Sequence, residues 1–141
     1  MTVNEPPRFL ADAMLERLAR WLRVLGFDAE CASGPDGEII ARAAADARHL
    51  LTRDRRLAAD SQHLAPILIR SKEPLEQLRE VLTHLDLALP HDLFKRCLLC
   101  NVALGDDEGT DRRHCPNCGR VYWEGLHTQR MRAALSRTFG E

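Results

Sequence analysis

The chain has 141 residues, the length of one ordinary domain with a small addition. Its 20 Lys and Arg residues nearly balance its 21 Asp and Glu residues, which argues against a nucleic-acid binder that works by bulk positive charge. The longest apolar stretches are far too short to span a membrane, and the first residues lack the features of a secretory signal. Composition therefore predicts a cytoplasmic protein with no membrane partner.

The first 90 residues alternate between short apolar runs and amphipathic stretches. An apolar run predicts a first strand over residues 8–11, and leucines spaced by three and four predict a helix over residues 13–25. The elements predicted after it are a strand at 27–32, a helix across 39–47, a strand at 49–52, a short helix or loop at 54–65, a strand at 66–70 and a helix across 75–85. This alternation indicates parallel strands joined by right-handed crossovers, and hence a small doubly wound α/β domain.

The pattern changes after Pro90, where helical periodicity disappears until a closing helix predicted over residues 128–139. We therefore predict two domains, an α/β domain at residues 1–92 and a cysteine-containing unit with a C-terminal helix at residues 93–141.

Two Cys-x-x-Cys pairs lie in the second unit with fourteen residues between them. Two such pairs supply the four thiolates that a tetrahedral zinc ion prefers, and four protein ligands leave no open position, so the pattern favours a structural zinc ribbon. The pairs are Cys97 with Cys100 and Cys115 with Cys118. Disulfides or redox thiols are the alternatives, and Cys31 is most simply a buried apolar residue. A ribbon alone does not tell function, because ribbons brace folds, bind nucleic acid and bind proteins.

Aspartates follow three of the predicted strands, namely Asp12, Asp36 and Asp54. Because the carboxyl ends of parallel strands share one edge of the sheet, these carboxylates are expected to converge there. Converged carboxylates repel one another unless a cation lies between them, and Mg²⁺ or Mn²⁺ prefers such oxygen ligands. Such a metal can activate a water and stabilise the charge that develops on a phosphodiester.

A simpler interpretation is that each aspartate is a helix N-cap, because each one precedes a helical segment. Glu38 is either a fourth metal ligand or an ordinary acid in the first turn of a helix. Spacing alone does not decide between caps and ligands.

Arginines accompany the candidate acids and suit bidentate contact with phosphate. Arg53, Arg55 and Arg56 flank Asp54, and a stripe formed by Arg17, Arg20 and Arg23 runs along the first helix. The stripe is equally compatible with a solvated helix face. Tyr122 and Trp123 suit either base stacking or a seam beside the ribbon, and His127 is expected to orient the ribbon through a hydrogen bond.

Several of these segments together resemble the Mut-seven C-terminal ribonuclease domain family. The N-terminal similarity covers residues 8–15 (RFLADAML), 18–28 (LARWLRVLGFD) and 51–54 (LTRD). The C-terminal similarity covers Arg96 to Asn101 (RCLLCN), Cys115 to His127 (CPNCGRVYWEGLH) and Arg130-Met131. The resemblance runs from about residue 8 to residue 132, nearly the whole chain.

The resemblance implies a PIN-like three-layer α/β fold with an appended zinc ribbon. It also implies action on RNA through a divalent metal bound by carboxylates, with Asp12, Asp36 and Asp54 at the acidic positions.

Our leading hypothesis is thus a ribonuclease, of unspecified endo- or exonucleolytic polarity. Asp12, Asp36 and Asp54 would be catalytic, Glu38 would be a possible further acid, and Arg20, Arg53 and Arg55 would bind the RNA backbone. Structural Zn²⁺ and catalytic Mg²⁺ or Mn²⁺ are the expected cofactors. The alternative is a non-catalytic RNA- or protein-binding module in which the acids are caps and the ribbon makes the contacts.

Overall fold

A parallel four-stranded sheet organises the first part of the chain in the computed structural model, which describes residues 5–90 and 92–140. The strands are β1 (Arg8–Asp12), β2 (Asp28–Ala32), β3 (His49–Thr52) and β4 (Ile67–Leu68). They are arranged in the order β2-β1-β3-β4, and every neighbouring pair is parallel. All strands therefore end at the same edge of the sheet, as the alternating pattern predicts.

Helices cover both faces of this sheet. They are α1 (Glu16–Val24), α2 (Asp36–Ala45), α3 (Arg55–Asp60) and α4 (Pro74–His84). Phe9 and Ala11 of β1 belong to one hydrophobic cluster with leucines of α1 and α4, whereas Leu10 belongs to a second cluster with residues of α2 and α3. The three middle residues of β1, Phe9 to Ala11, are apolar because that part of the strand is buried on both faces. The sheet and its two helical layers confirm the expected three-layer α/β fold.

Two predicted elements differ in extent from the observed ones. The predicted first helix begins as a 3₁₀ turn at Ala13–Leu15 and becomes α-helical only at Glu16. The predicted strand at 66–70 is shortened to Ile67–Leu68, because the Glu80 carboxylate accepts hydrogen bonds from the backbone N–H groups of Arg70 and Ser71, at 2.9 and 2.8 Å. At the end of β4 a side chain therefore replaces the regular backbone pairing.

The cysteine-containing segment forms a small antiparallel sheet followed by a long helix. Its strands are β5 (Gly105–Asp106), β6 (Arg113–His114) and β7 (Val121–Tyr122), and the helix is α5 (Leu126–Phe139). Leu93, Phe94 and Leu135 are buried in the same hydrophobic cluster as α1 and α4. The segment thus packs against the sheet domain, and the domain boundary after residue 92 stays a prediction. No helix within the described ranges combines the length and apolar character needed to cross a bilayer.

Candidate metal centres

The four cysteines of the two Cys-x-x-Cys pairs converge at one point. Their Sγ atoms all lie within 4.8 Å of one another, and the Sγ atoms of Cys97 and Cys118 are 3.8 Å apart. A tetrahedral zinc ion with Zn–S bonds of about 2.3 Å places its sulfurs about 3.8 Å apart. The cluster could therefore hold a metal ion such as zinc, and the segment is zinc-ribbon-like.

Each cysteine pair forms the same tight turn. The backbone N–H groups of Cys100 and Cys118 approach the Sγ atoms of Cys97 and Cys115, both at 3.4 Å. A residue with positive φ follows each pair, Asn101 at +65° and Gly119 at +78°. Glycine and asparagine are the residues that most readily adopt this left-handed conformation, and here their backbone N–H groups close each turn on the carbonyls of Cys97 and Cys115, at 2.9 and 2.8 Å.

Tyr122 acts directly on the cysteine cluster. Its hydroxyl donates to Cys97 Sγ at 3.2 Å and accepts from the Leu98 backbone N–H at 3.0 Å. Burial raises the pKa of Cys97, but the hydrogen bonds from Tyr122 and from backbone N–H groups outweigh it and lower that pKa to about 6. Burial and the neighbouring Cys97 raise the pKa of Tyr122 to about 12, so Tyr122 stays protonated and remains a donor. This polar environment favours the thiolate form that binds metal.

Arg23 joins the ribbon to the sheet. Its Nε donates to the Ala29 carbonyl at 2.8 Å and its guanidinium donates to the Leu98 carbonyl at 2.6 Å. Arg23 is buried, so its assignment to an exposed arginine stripe was wrong. Helical spacing placed it with Arg17 and Arg20, but the ribbon covers that part of α1, a contact that local spacing does not reveal.

Asn101 provides the second connection between the ribbon and the sheet. Its side-chain carbonyl accepts from the Ala29 N–H at 3.0 Å, and its amide donates to Asp28 Oδ1 at 2.6 Å. Asp28 also pairs with the buried guanidinium of Arg48 at 2.8 Å. Burial raises the pKa of Asp28, but the hydrogen bonds from Arg48 and Asn101 outweigh it, so that pKa lies below its usual value.

Replacing Asn101 with alanine should destabilise the protein by about 2 kcal/mol or more, because the buried Ala29 N–H and Asp28 both lose a partner. Denaturant unfolding measures the loss. Asn101→Gly tolerates the positive φ but also lacks the amide, so it should be nearly as unstable. Stability equal to wild type in Asn101→Gly would contradict a structural contribution of the amide.

The acidic edge of the sheet centres on Asp12, the last residue of β1. Its Oδ1 accepts from the Met14 backbone N–H at 2.9 Å, and its Oδ2 accepts a hydrogen bond from the Thr52 hydroxyl. Asp12 is 7% exposed. The carboxylate is therefore both a cap of the following turn and a buried group held in one orientation.

Thr52 connects Asp12 to Asp54. While its hydroxyl donates to Asp12, its Oγ1 accepts from the Asp54 backbone N–H at 2.9 Å. Asp54 is exposed and caps α3, its Oδ1 accepting from the backbone N–H groups of Arg56 and Leu57 at 2.9 and 3.3 Å. Sequence reasoning did not assign Thr52 to the site, although it stands in the Leu51-Thr52-Arg53-Asp54 motif.

The remaining candidate acids lie on α2, which follows β2. Asp36 is its half-buried first residue and Glu38 is exposed in the same turn; Pro35, not Asp36, is the N-cap. The structure thus joins Asp12, Thr52 and Asp54, and places Asp36 and Glu38 one strand away. Within residues 5–90 and 92–140, the cysteines form the group whose ligand atoms converge to metal-binding distance, and the carboxylates form no comparable group.

The candidate acids share one electrostatic property. In the described part of the chain, no Lys, Arg or His nitrogen lies within 4.0 Å of a carboxylate oxygen of any of the four. Other acids, such as Asp28, do have such a partner. The four are Asp12, Asp36, Glu38 and Asp54. A buried carboxylate without a cationic partner is unusual, because burial disfavours its charge.

The three candidate phosphate-binding arginines differ in their surroundings. Arg20 is exposed and pairs with Glu16 at 3.2 Å, whereas Arg53 is half-buried and donates to the Arg70 carbonyl at 3.4 Å. Arg55 is the exposed first residue of α3. Arg53 and Arg55 therefore flank the capping carboxylate of Asp54, while Arg20 lies farther along α1.

The fold and the cysteine cluster together define a parallel α/β domain with a zinc-ribbon-like extension. The chain belongs to the Mut7-C RNAse domain family, which matches residues 7–135. This membership confirms the resemblance and indicates a nuclease-type function. Comparison with curated proteins and with solved structures found no significant match.

Proposed function

We propose that the protein is a metal-dependent ribonuclease in which Asp12, Asp36 and Asp54 hold Mg²⁺ or Mn²⁺. The observation that carries the proposal is the buried Asp12 carboxylate, which is linked to Asp54 through Thr52 at the carboxyl edge of the sheet and has no cationic partner among the described residues. Ligands of α/β proteins bind at this edge. The nuclease-type family supports RNA as the substrate.

The donor set fits a hard divalent cation. Carboxylate oxygens are the ligands that Mg²⁺ and Mn²⁺ prefer, and both ions tolerate retained waters where the protein supplies few ligands. When bound, such an ion activates a water and neutralises charge that develops on the phosphodiester. Glu38, exposed in the same helical turn as Asp36, is a possible further acid.

Capping and metal binding are compatible at this site. The caps engage Oδ1 of Asp12 and Oδ1 of Asp54, and the hydrogen bond from Thr52 fixes the direction of Asp12 Oδ2. The caps thereby hold both carboxylates in place before a ligand arrives. Arg53, Arg55 and Arg20 would position the RNA backbone through phosphate contacts.

The second metal in the proposal is a structural zinc ion. Its four ligands would be Cys97, Cys100, Cys115 and Cys118. Four thiolates leave no open coordination position, so this centre braces the ribbon and performs no chemistry. A cytoplasmic location is consistent with it, since cysteines stay reduced there.

Asp54→Asn should lower the cleavage of single-stranded RNA in Mn²⁺ by about 100-fold, because a metal ion contributes several kcal/mol to the transition state. Asparagine is as good an N-cap as aspartate, so α3 should remain folded. The rate is measured on labelled RNA, with Asp60→Asn at the other end of α3 as the control. Undiminished cleavage in Asp54→Asn, with contaminating nuclease excluded, would refute the acidic site.

The alternative function is a non-catalytic RNA- or protein-binding module. The hydrogen bonds by which Asp12 and Asp54 cap the following turns favour it, because capping alone accounts for both positions. RNA binding without cleavage by wild type, in either Mg²⁺ or Mn²⁺, would support this function over the nuclease.

A further inference from the structure

A groove of about 530 Å³ lies where α1, the cysteine ribbon and the start of α5 meet. Exposed apolar side chains are concentrated in it. Six large hydrophobic residues are exposed among the described residues, and four of them line this groove: Leu99, Val121, Trp123 and Leu126. Such a concentration marks a binding surface more often than chance exposure does.

The groove also carries positive charge. The guanidinium groups of Arg20 and Arg120 line it, and none of the described residues that line it carries a carboxylate. The chain as a whole has a formal charge of -1, so this is a local excess of cationic groups. A ligand that suits the groove therefore combines a flat apolar part with an anionic part.

Trp123 is the aromatic surface that the groove presents. It is 53% exposed, and the Arg112 guanidinium lies 5.7 Å from its ring. A Cβ at Gly125 would lie 3.2 Å from the indole Nε1, so the absence of a side chain at Gly125 allows this indole position. A half-exposed indole beside the Arg112 guanidinium is suited to stacking on a nucleobase.

We propose that this groove binds an unpaired nucleotide of single-stranded RNA, with its base on Trp123 and its phosphates toward Arg20 and Arg120. The proposal rests on the proposed ribonuclease function and adds a second RNA contact outside the acidic edge. The cationic lining without acids favours a nucleic acid over a protein partner. A duplex is disfavoured because its bases are already stacked and cannot reach Trp123.

The position of Arg20 connects the groove with the acidic edge. α1 begins at Glu16, shortly after Asp12, and Arg20 lies four residues farther on, about 6 Å along the helix axis. RNA held in the groove can therefore continue along α1 toward Asp12.

The test measures binding of a fluorescein-labelled single-stranded RNA of about ten nucleotides to the full zinc-loaded chain. Mg²⁺ and Mn²⁺ are omitted, so that cleavage is not required. Trp123→Ala should weaken binding about fivefold or more, because stacking of one base contributes roughly 1–3 kcal/mol. Trp123→Phe should retain most of the affinity. Val102→Ala, an exposed apolar residue of the ribbon outside the groove, should bind like wild type.

Charge and strand preference provide further readouts. Arg120→Gln should reduce the slope of log affinity against log salt by about 0.7, the value for one phosphate contact on a single strand. The labelled RNA annealed to its complement should bind more weakly than the single strand. Equal affinity of wild type and Trp123→Ala for the single strand would overturn the proposal. A protein partner would then be the remaining candidate for the groove.

Failure of this proposal is distinguishable from failure of the proposed function. Asp54→Asn should lose cleavage and keep single-strand binding, whereas Trp123→Ala should lose binding in both the wild-type and the Asp54→Asn backgrounds. An inactive wild type whose binding depends on Trp123 would refute the nuclease and support the groove. An active wild type whose RNA binding is unchanged by Trp123→Ala would support the nuclease and refute the groove.

Discussion

Asp12→Asn should abolish most RNA cleavage, with a loss of about 1,000-fold, the largest effect on activity expected of any single substitution in this chain. Asp12 is the buried member of the acidic edge, and asparagine removes its charge while keeping its size. The proposed metal would lose a ligand that no neighbouring side chain replaces, at a cost of several kcal/mol in transition-state stabilisation. Initial rates on single-stranded RNA, over a range of Mn²⁺ concentrations, measure the effect.

The fold should survive this substitution. An asparagine oxygen can still accept from the Met14 N–H, and its amide can donate to Thr52 Oγ1. Asp46→Asn is a suitable control, because Asp46 is the C-cap that follows α2 and lies before the start of β3, at the opposite edge of the sheet. A folded Asp12→Asn protein with the wild-type rate would show that Asp12 is a cap and nothing more.

Cys115→Ser should have the largest effect on stability. The ribbon strands contain two residues each, so the ribbon has little regular structure of its own, and the proposed zinc would supply much of its stability. Structural zinc contributes on the order of 10 kcal/mol to the folding of small domains, and losing one of four ligands should forfeit several kcal/mol of it. Metal analysis should find about one zinc per wild-type chain and almost none in the variant, and thermal unfolding should begin at a much lower temperature.

Cys31→Ser provides the matched comparison. Cys31 is a half-buried thiol of β2 outside the cysteine cluster, so its replacement should leave the zinc content at the wild-type value. A Cys115→Ser protein with full zinc content and wild-type stability would rule out the four-cysteine centre. Zinc loss in Cys31→Ser would show instead that the ligand set is wrong.

The layered α/β fold was predictable because its signals are local. Leucine spacing, the glycine after α1 and the apolar strand β1 all depend on residues within a few positions of one another. The cysteine spacing predicted the cysteine cluster for the same reason, because one Cys-x-x-Cys turn supplies two ligands by itself. The end of β4 was not predictable, because it depends on Glu80 of a later helix reaching back to the strand.

The contacts of the candidate site were less predictable than the positions of its residues. Asp12 and Asp54 are candidates because of their places after strands, but the link through Thr52 requires knowing that β1 and β3 are neighbours. Arg23 was misjudged for the same reason, since its partners lie on β2 and, 75 residues away, in the ribbon. The orienting hydrogen bond expected of His127 stays a prediction, whereas the contact of Tyr122 with Cys97 went unrecognised because the two residues are 25 positions apart.

The way Arg23 and Asn101 hold Ala29 has a consequence for solubility. β2 is an outermost strand of the sheet, and such a strand presents unpaired N–H and C=O groups on which another chain can add a strand. Here the Asn101 side chain accepts a hydrogen bond from the Ala29 N–H, and Arg23 donates one to the Ala29 carbonyl. Side chains therefore occupy the positions that a further strand would use. Asn101 directly follows the first cysteine pair, so the turn that this pair forms also places the side chain that covers the Ala29 N–H.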